Sequence, residues 1–398
     1  MEEQQMRNPA QVQADSSLVM NGGPRRITHE LVEDTGIAVT AADDVADIVR
    51  TGRTVYWGGG PRSKRLEREF ADHIGRSMAF FHNSGTAALQ TALFALGVTD
   101  GTPVAITDSG FVASLNVIQH LRARPVFLPT APETLLCQED VSDWVDGVDV
   151  HTALLTHFFG NVLDAPATFA STGAEYLVED AGQAHGATLR GRPVGSFGDI
   201  GSFAGSHKKL VTSGQGGLNV YDDPTIDFRM RAYAHHGHSQ GENIYPGYNF
   251  RGGEMEATLG LAALADLPTR VAARNRTAAA ITEILEKAGL TVARTPAGLD
   301  CTPAWFDVPV LLDESWLGHR DWLIDVLRQD GIELWKYPAL IALPWVKPYM
   351  ANHGWWGERE EELLRVERRL WDRLVLIPTQ ISAEDGRVVA EALAEILS

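Results

Sequence analysis

Cysteine is nearly missing. Cys137 and Cys301 are the only two in 398 residues, too few for a disulfide framework and in keeping with a reducing compartment, where two buried thiols are the plain expectation. No apolar run approaches the ~20 residues of a membrane span. Basic residues are short as well: Lys+Arg 34 against Asp+Glu 52 leave a net charge of −18, which argues against nucleic acid or an anionic membrane as the main partner. Any anionic ligand must be held by local design. The first 24 residues, beginning MEEQQMRNPAQVQADSS, lack the apolar core of a signal peptide and the arginine excess of a transit peptide. They are expected to form a flexible tail, 1–24, on a cytoplasmic protein. Internal repeats and low-complexity tracts are also absent.

What remains is ample for an enzyme. Hydrophobic residues make up 44% of the chain, and at roughly 100 to 200 residues per domain the length suggests two or three domains. Between residues 75 and 222, the runs MAFF, VAIT, PVFL, ALLTHFF, YLVED, GSFA and GLNVY alternate with helix-like segments. That rhythm is of βα units, which favour a mainly parallel sheet with helices on both faces and a pocket at the strand ends. The expected layout is a large α/β domain over 25–255 and a smaller α+β domain over 256–398. Within the latter, a helix-like stretch runs from Met255 to Ala288 with a break near Leu267, where Pro268 stands. After it come a strand in FDVPVLL, a helix around Asp321 to Gln329 and a strand around Ile332 to Trp335. The charged helix EREEELLRVERRLW and a last helix announced by Ser382 and Asp385 complete the series.

Two stretches carry the chemistry, VEDAGQAHGA and GSHKKLVTSGQGGLNV. The first ends an apolar run on Asp180; the second sets lysines ahead of a glycine-rich turn. Pyridoxal phosphate (PLP) needs an amine for its Schiff base and a carboxylate to keep its pyridine nitrogen protonated. Asp180 can supply the carboxylate, and a pyridinium would offset the cost of burying it. The amine is Lys208 or Lys209 on chemistry alone, since burial beside a cation lowers either pKa. Gln183 could meet the phenolic oxygen of the ring, and His185 could support Asp180 or the substrate. In HNSGTAALQTALFALG, Ser84, Gly85 and Thr86 precede a helix whose N-terminus can hold a phosphate, although such residues also cap ordinary helices.

The motifs NSGTAAL, VEDAGQAHGA, KLVTSGQGG and GYNFRGGEMEATLGLAAL together resemble, in order, those of the DegT/DnrJ/EryC1/StrS family of PLP-dependent sugar and cyclitol aminotransferases. The resemblance runs from about Asn21 to the C-terminus and implies PLP fold type I, aspartate aminotransferase-like. It implies that Lys209, five positions before Gly214, carries the cofactor, that Asp180 pairs with the pyridine nitrogen and that Gln183 contacts the phenolic oxygen. Gly85 and Thr86 hold the phosphate, and Phe111 stacks on the ring. It further implies a homodimer with shared active sites, in which Asn249 reaches the phosphate of the neighbouring subunit. Arg251 either approaches the donor carboxylate or pairs with Glu254 or Glu256.

Two positions depart from the family pattern. Ala204 stands where a phosphate-binding serine is usual, so that Ser206 or Lys208 must compensate, and Lys208 itself replaces a small polar residue. His235, His236 and His238 lack the companions of a zinc site, and no metal is expected. Trp57, in a glycine-rich loop, either covers a ring substrate or packs in the core. Trp335, Trp345, Trp355 and Trp356 are expected in the core, with the pocket wall as the alternative. The resemblance implies transfer of an amino group from glutamate or glutamine to a keto cyclitol or keto sugar, in natural-product or amino-sugar biosynthesis. The chain's acidity leans toward a neutral cyclitol. Two other activities compete with this one. A PLP-dependent sugar dehydratase of this family would have histidine in place of Lys209, and the other alternative is a non-catalytic PLP-binding regulatory protein, which the absorbance of the purified protein would separate.

Overall fold

Every one of the apolar runs in the first half becomes a strand. The computed structural model describes residues 6–295 and 298–398. In it β1 (Met78–His82), β2 (Pro103–Thr107), β3 (Arg124–Leu128), β4 (Thr152–Thr156), β5 (Tyr176–Asp180), β6 (Ile200–Ala204) and β7 (Gly217–Tyr221) form one 7-stranded sheet. Its order is β1-β7-β6-β5-β4-β2-β3. Strands β2 to β6 pair in parallel, with Thr156 beside Asp180 and Asp180 beside Ser202. The central strands are buried on both faces, as a sheet covered by helices on either side requires. β7 alone runs against both its neighbours. A parallel return needs a long crossover, usually through a helix. The segment from Gly205 to Gly216 contains none, so the chain doubles back across the sheet and leaves that loop, with Lys209 in it, at the strand ends.

The helix after β1, Gly85–Ala95, is apolar nearly all round and lies almost wholly inside. Ser84 caps it, its Oγ accepting the Ala87 N–H at 3.0 Å. The stretch from Met255 to Ala288 divides as expected into helices Glu254–Ala265 and Leu267–Lys287, with Pro268 in the first turn of the second, where its missing N–H costs nothing. The strand Asp307–Leu311 and the helices Arg320–Gln329, Glu358–Trp371 and Ala383–Leu397 also form, the last capped by Ser382.

Three expectations need correction, and one strand went unread. The first 24 residues are not a free tail where they are described: Pro9–Gln13 is a helix, the Arg7 N–H bonds to the Leu397 carbonyl at 2.7 Å, and Val12 and Leu18 are fully buried beside Trp316. A polar average concealed two well-placed apolar side chains. Ile332–Trp335 is no strand, because only Trp335 pairs, with Leu376. The strand that lines up with Asp307–Leu311 is Leu374–Pro378, which went unread. The domain limit at 255/256 also does not hold as a packing boundary. Helix Glu254–Ala265 buries Ala257 and Ala263 against Leu66 and Phe70, and the segment Leu340–Trp371 returns to the core of the large sheet.

Candidate active site

The ends of β4, β5 and β6, the loop before β7 and the N-terminus of helix Gly85–Ala95 enclose a cavity of about 460 Å³. Asp180 closes β5 at its floor. Ser114 Oγ donates to Asp180 Oδ2 at 2.8 Å, and the Gly182 N–H donates to Oδ1 at 3.0 Å. Burial raises its pKa, and these two donors, with Lys209 nearby, work against that rise. A buried carboxylate with only two donors on it is suited to a cationic partner.

The two lysines part company. Lys208 adopts φ 68°, donates its backbone N–H to the Thr35 carbonyl and pairs with Glu33 at 2.5 Å. Both line the cavity, but Lys208 is held at its edge by Glu33 and over Trp335, whereas Lys209 has its Nζ 4.0 Å from the centre of the Phe306 ring and no ion-pair partner among the described residues. Removal from bulk water lowers its amine to about 8; Asp307 and Asp180 hold it up, and Arg274 presses it down. An amine near that value is free often enough at neutral pH to act as a nucleophile or a proton carrier.

Gln183 spends its carbonyl on the Phe159 N–H, at 2.8 Å. Phe159 holds a left-handed φ of 60° where it presents that N–H, and the amide NH₂ of Gln183 is the end that donates, toward the Tyr337 phenol. Gly85, Thr86, Ser206 and Phe111 all line the cavity, and Phe111 stands edge-on to Tyr337 at 6.3 Å. At the N-terminus of the helix, Gly85 and Ala204 approach so closely that a Cβ on Gly85 would lie 2.7 Å from that of Ala204. Ser84, Gly85 and Thr86 of that helix start line the cavity.

Other expected site residues lie elsewhere. His185 sits behind the cavity, its ring 5.2 Å from Phe203 and 6.3 Å from Phe70. Burial lowers its pKa to about 3; it gives Asp180 no hydrogen bond and does not line the cavity. Trp57, Arg251 and Asn249 also stay out of this chain's cavity. Arg251 Nη1 is 2.5 Å from His235 Nδ1 and lies over Trp57, and it pairs with neither Glu254 nor Glu256. Glu254 instead accepts from Ser63. Trp57 is exposed and gathers His235, His236 and His238 about its ring. Among the described residues no cluster able to hold a metal occurs.

The sequence reading overlooked Ser114, Phe306, Asp307 and Tyr337. Asp307 and Tyr337 come from the smaller body, and no periodicity in their own segments tells that the chain folds them back over the sheet. Trp335 belongs to the cavity wall, while Trp345, Trp355 and Trp356 pack on the core, so the tryptophan expectation is corrected at the first position only.

A cavity with an anionic floor, a lysine of lowered pKa on its wall and helix N–H groups at one end suits an anionic, nitrogen-bearing aromatic aldehyde. That is the demand of a fold type I PLP enzyme, and these residues fit the cofactor. Comparison with known proteins makes the class specific. Residues 38–390 match the DegT/DnrJ/EryC1/StrS aminotransferase family, and the chain belongs to it. It is 29% identical to a GDP-perosamine synthase of Caulobacter vibrioides, over 71% of this chain and 77% of that one. With an L-glutamine:2-deoxy-scyllo-inosose aminotransferase of Streptomyces lividus it shares 30% identity over 76% of each. The solved aminotransferase of Psychrobacter cryohalolentis superposes with a TM-score of 0.82 at 25% identity, covering 92% of this chain and 98% of that one. The protein is a PLP-dependent aminotransferase.

Proposed function

We propose that the protein moves an amino group from glutamate or glutamine to a keto cyclitol or keto sugar in two half-reactions at this cavity. The observation that carries the reading is the convergence of Asp180 and Lys209, from the ends of different strands, on one enclosed space that also receives a helix N-terminus. Bound there, PLP supplies an electron sink for charge developing at the donor's Cα and stores the amino group between the half-reactions.

The rest is the work of the chain. The Lys209 amine would anchor the cofactor and, with the donor bound, would carry the proton between the donor's Cα and the carbon that acquires the nitrogen. Asp180, which accepts from Ser114 and Gly182, would pair with the ring nitrogen and favour its protonated form. The amide NH₂ of Gln183 orients the phenolic oxygen, and Phe111 covers the ring face. Gly85 and Thr86 offer backbone N–H groups to the phosphate, with Ser206 beside them. In the acceptor half-reaction the same proton transfers run in reverse.

The reading includes a cytoplasmic homodimer with shared sites. Asn249 and Trp57 are exposed, and with Arg251 they lie outside this chain's cavity, as befits side chains that serve a neighbouring subunit. Among the described residues no helix is long and apolar enough to cross a membrane. The lysine at 209 speaks against the dehydratase alternative. Borohydride reduction of the cofactor-loaded enzyme, followed by peptide mapping, is expected to label Lys209; a label elsewhere, or none, overturns the assignment. A panel of keto cyclitols and nucleotide-linked keto sugars then identifies the acceptor.

A further inference from the structure

We propose that Asp307 determines acceptor specificity, its carboxylate receiving hydrogen bonds from the ring hydroxyls of an uncharged polyol ketone seated above Lys209. The inference rests on the aminotransferase reading and goes further by naming what the acceptor must present. Asp307 opens the strand Asp307–Leu311 opposite Pro378, so its backbone is fixed by the sheet of the smaller body. It is 4% exposed and lines the cavity. Among the described residues its carboxylate accepts no hydrogen bond and forms no ion pair.

A buried carboxylate in that condition is costly, and none of the cations near it comes within ion-pair distance, although Arg274 keeps Nη1 unpartnered. Lys209, Arg274 and Lys208 all favour its ionised form, against burial that raises its pKa to about 7 and against Glu33. Lys208 is engaged by Glu33, and Arg274 faces Asp34 at 3.7 Å. Lys209 is taken by the cofactor. The lone pairs of Asp307 are therefore left for a ligand, and the cheapest donors are neutral hydroxyls. A carboxylate or phosphate in the same place would meet like charge.

The surroundings agree with a polyol ring. Phe306, Trp335 and Tyr337 share the wall with Asp307, and Trp335 is 46% exposed, offering an apolar face to the C–H side of a ring whose hydroxyl edge meets the carboxylate. Tyr337 shares the pocket wall; burial and Asp307 push its phenol upward, against a hydrogen bond from Gln183. It stays neutral at working pH and adds no competing charge.

The test compares a pentahydroxy cyclohexanone with the same ring lacking one hydroxyl, on cofactor-loaded wild type, Asp307→Asn and Asp307→Ala. The readouts are kcat/KM and, by calorimetry, the dissociation constants of the two ketones. The ratio within each variant cancels any general effect of the lost charge on Lys209. Wild type is expected to prefer the hydroxylated ring for at least one deoxy position, and Asp307→Ala to cut that preference about 10- to 100-fold, the range for a hydrogen bond to a charged group. Asp307→Asn, which retains one acceptor, should fall between. Ratios equal in all three proteins, by rate and by binding, overturn the proposal while leaving the aminotransferase reading intact. A wild type that transfers nitrogen from no amino acid removes both.

Discussion

Replacing Lys209 by methionine should destroy activity and stabilise the cofactor-free protein. The side chain lies on the cavity wall, where its amine is lowered from 10.5 to about 8. At about 1.4 kcal/mol for each tenfold change in equilibrium, that difference is worth about 3 kcal/mol. The sign follows from protonation. Below pH 8 the amine is charged in both folded and unfolded chains, and the folded one bears the full cost. Between pH 8 and 10.5 the folded amine is already neutral while the unfolded one still binds its proton, so the penalty fades, and above that window it is gone. Lys209→Met is therefore expected to unfold in urea with a free energy up to about 3 kcal/mol higher than wild type at pH 7. At pH 9.5 the gain should shrink to about 1.4 kcal/mol. Water in the open cavity screens the charge, so these figures are ceilings. A variant less stable than wild type at pH 7, or a gain that ignores pH, would refute the account of how the lysine is poised.

Two further substitutions probe other parts of the argument. Ala204→Ser places a hydroxyl at the end of β6, against Gly85, and should tighten binding of PLP to the cofactor-free protein about tenfold, the worth of one hydrogen bond to an anion; a fluorescence titration with unchanged or weaker affinity would count against Gly85 and Ala204 bordering the phosphate. Leu18→Ala, at a side chain with no exposed surface, should cost about 2–4 kcal/mol in equilibrium unfolding. A loss below about 0.5 kcal/mol, the level of an ordinary surface change, would restore the free tail first expected there.

Which parts of the fold could be read in advance depended on whether the signal was local. β-strands that are buried on both faces must be short and continuously apolar, so YLVED, GSFA and GLNVY stood out against their surroundings. The break at Pro268 was legible because a missing N–H acts on its own helix. Leu374–Pro378 is just as apolar but follows directly on a long helix, and its partner strand lies more than sixty residues earlier, so the pairing left no trace nearby. Val12 and Leu18 were hidden by the polar residues around them, since burial of two side chains depends on the groove they meet and not on average composition.

The site divides in the same way. Asp180 at the end of an apolar run, the lysine pair before a glycine turn and the Ser-Gly-Thr helix start are constraints imposed by the cofactor on single segments, and a lone chain displays them. Choosing between Lys208 and Lys209 without recourse to relatives takes the fold: both line the cavity, but one is paired with Glu33 while the other is buried and unpaired, its amine lowered. Tertiary structure alone also brought in Asp307, Tyr337 and Trp335 from the smaller body, sent His185 behind the wall, and kept Trp57 and Arg251 out of the chain's own cavity. The sequence by itself determined what chemistry the protein carries, because cofactor ligands must sit on particular residue types at particular strand and helix ends. Only the folded chain decided what surrounds that chemistry, because burial, charge pairing and pocket shape arise between segments far apart along the backbone.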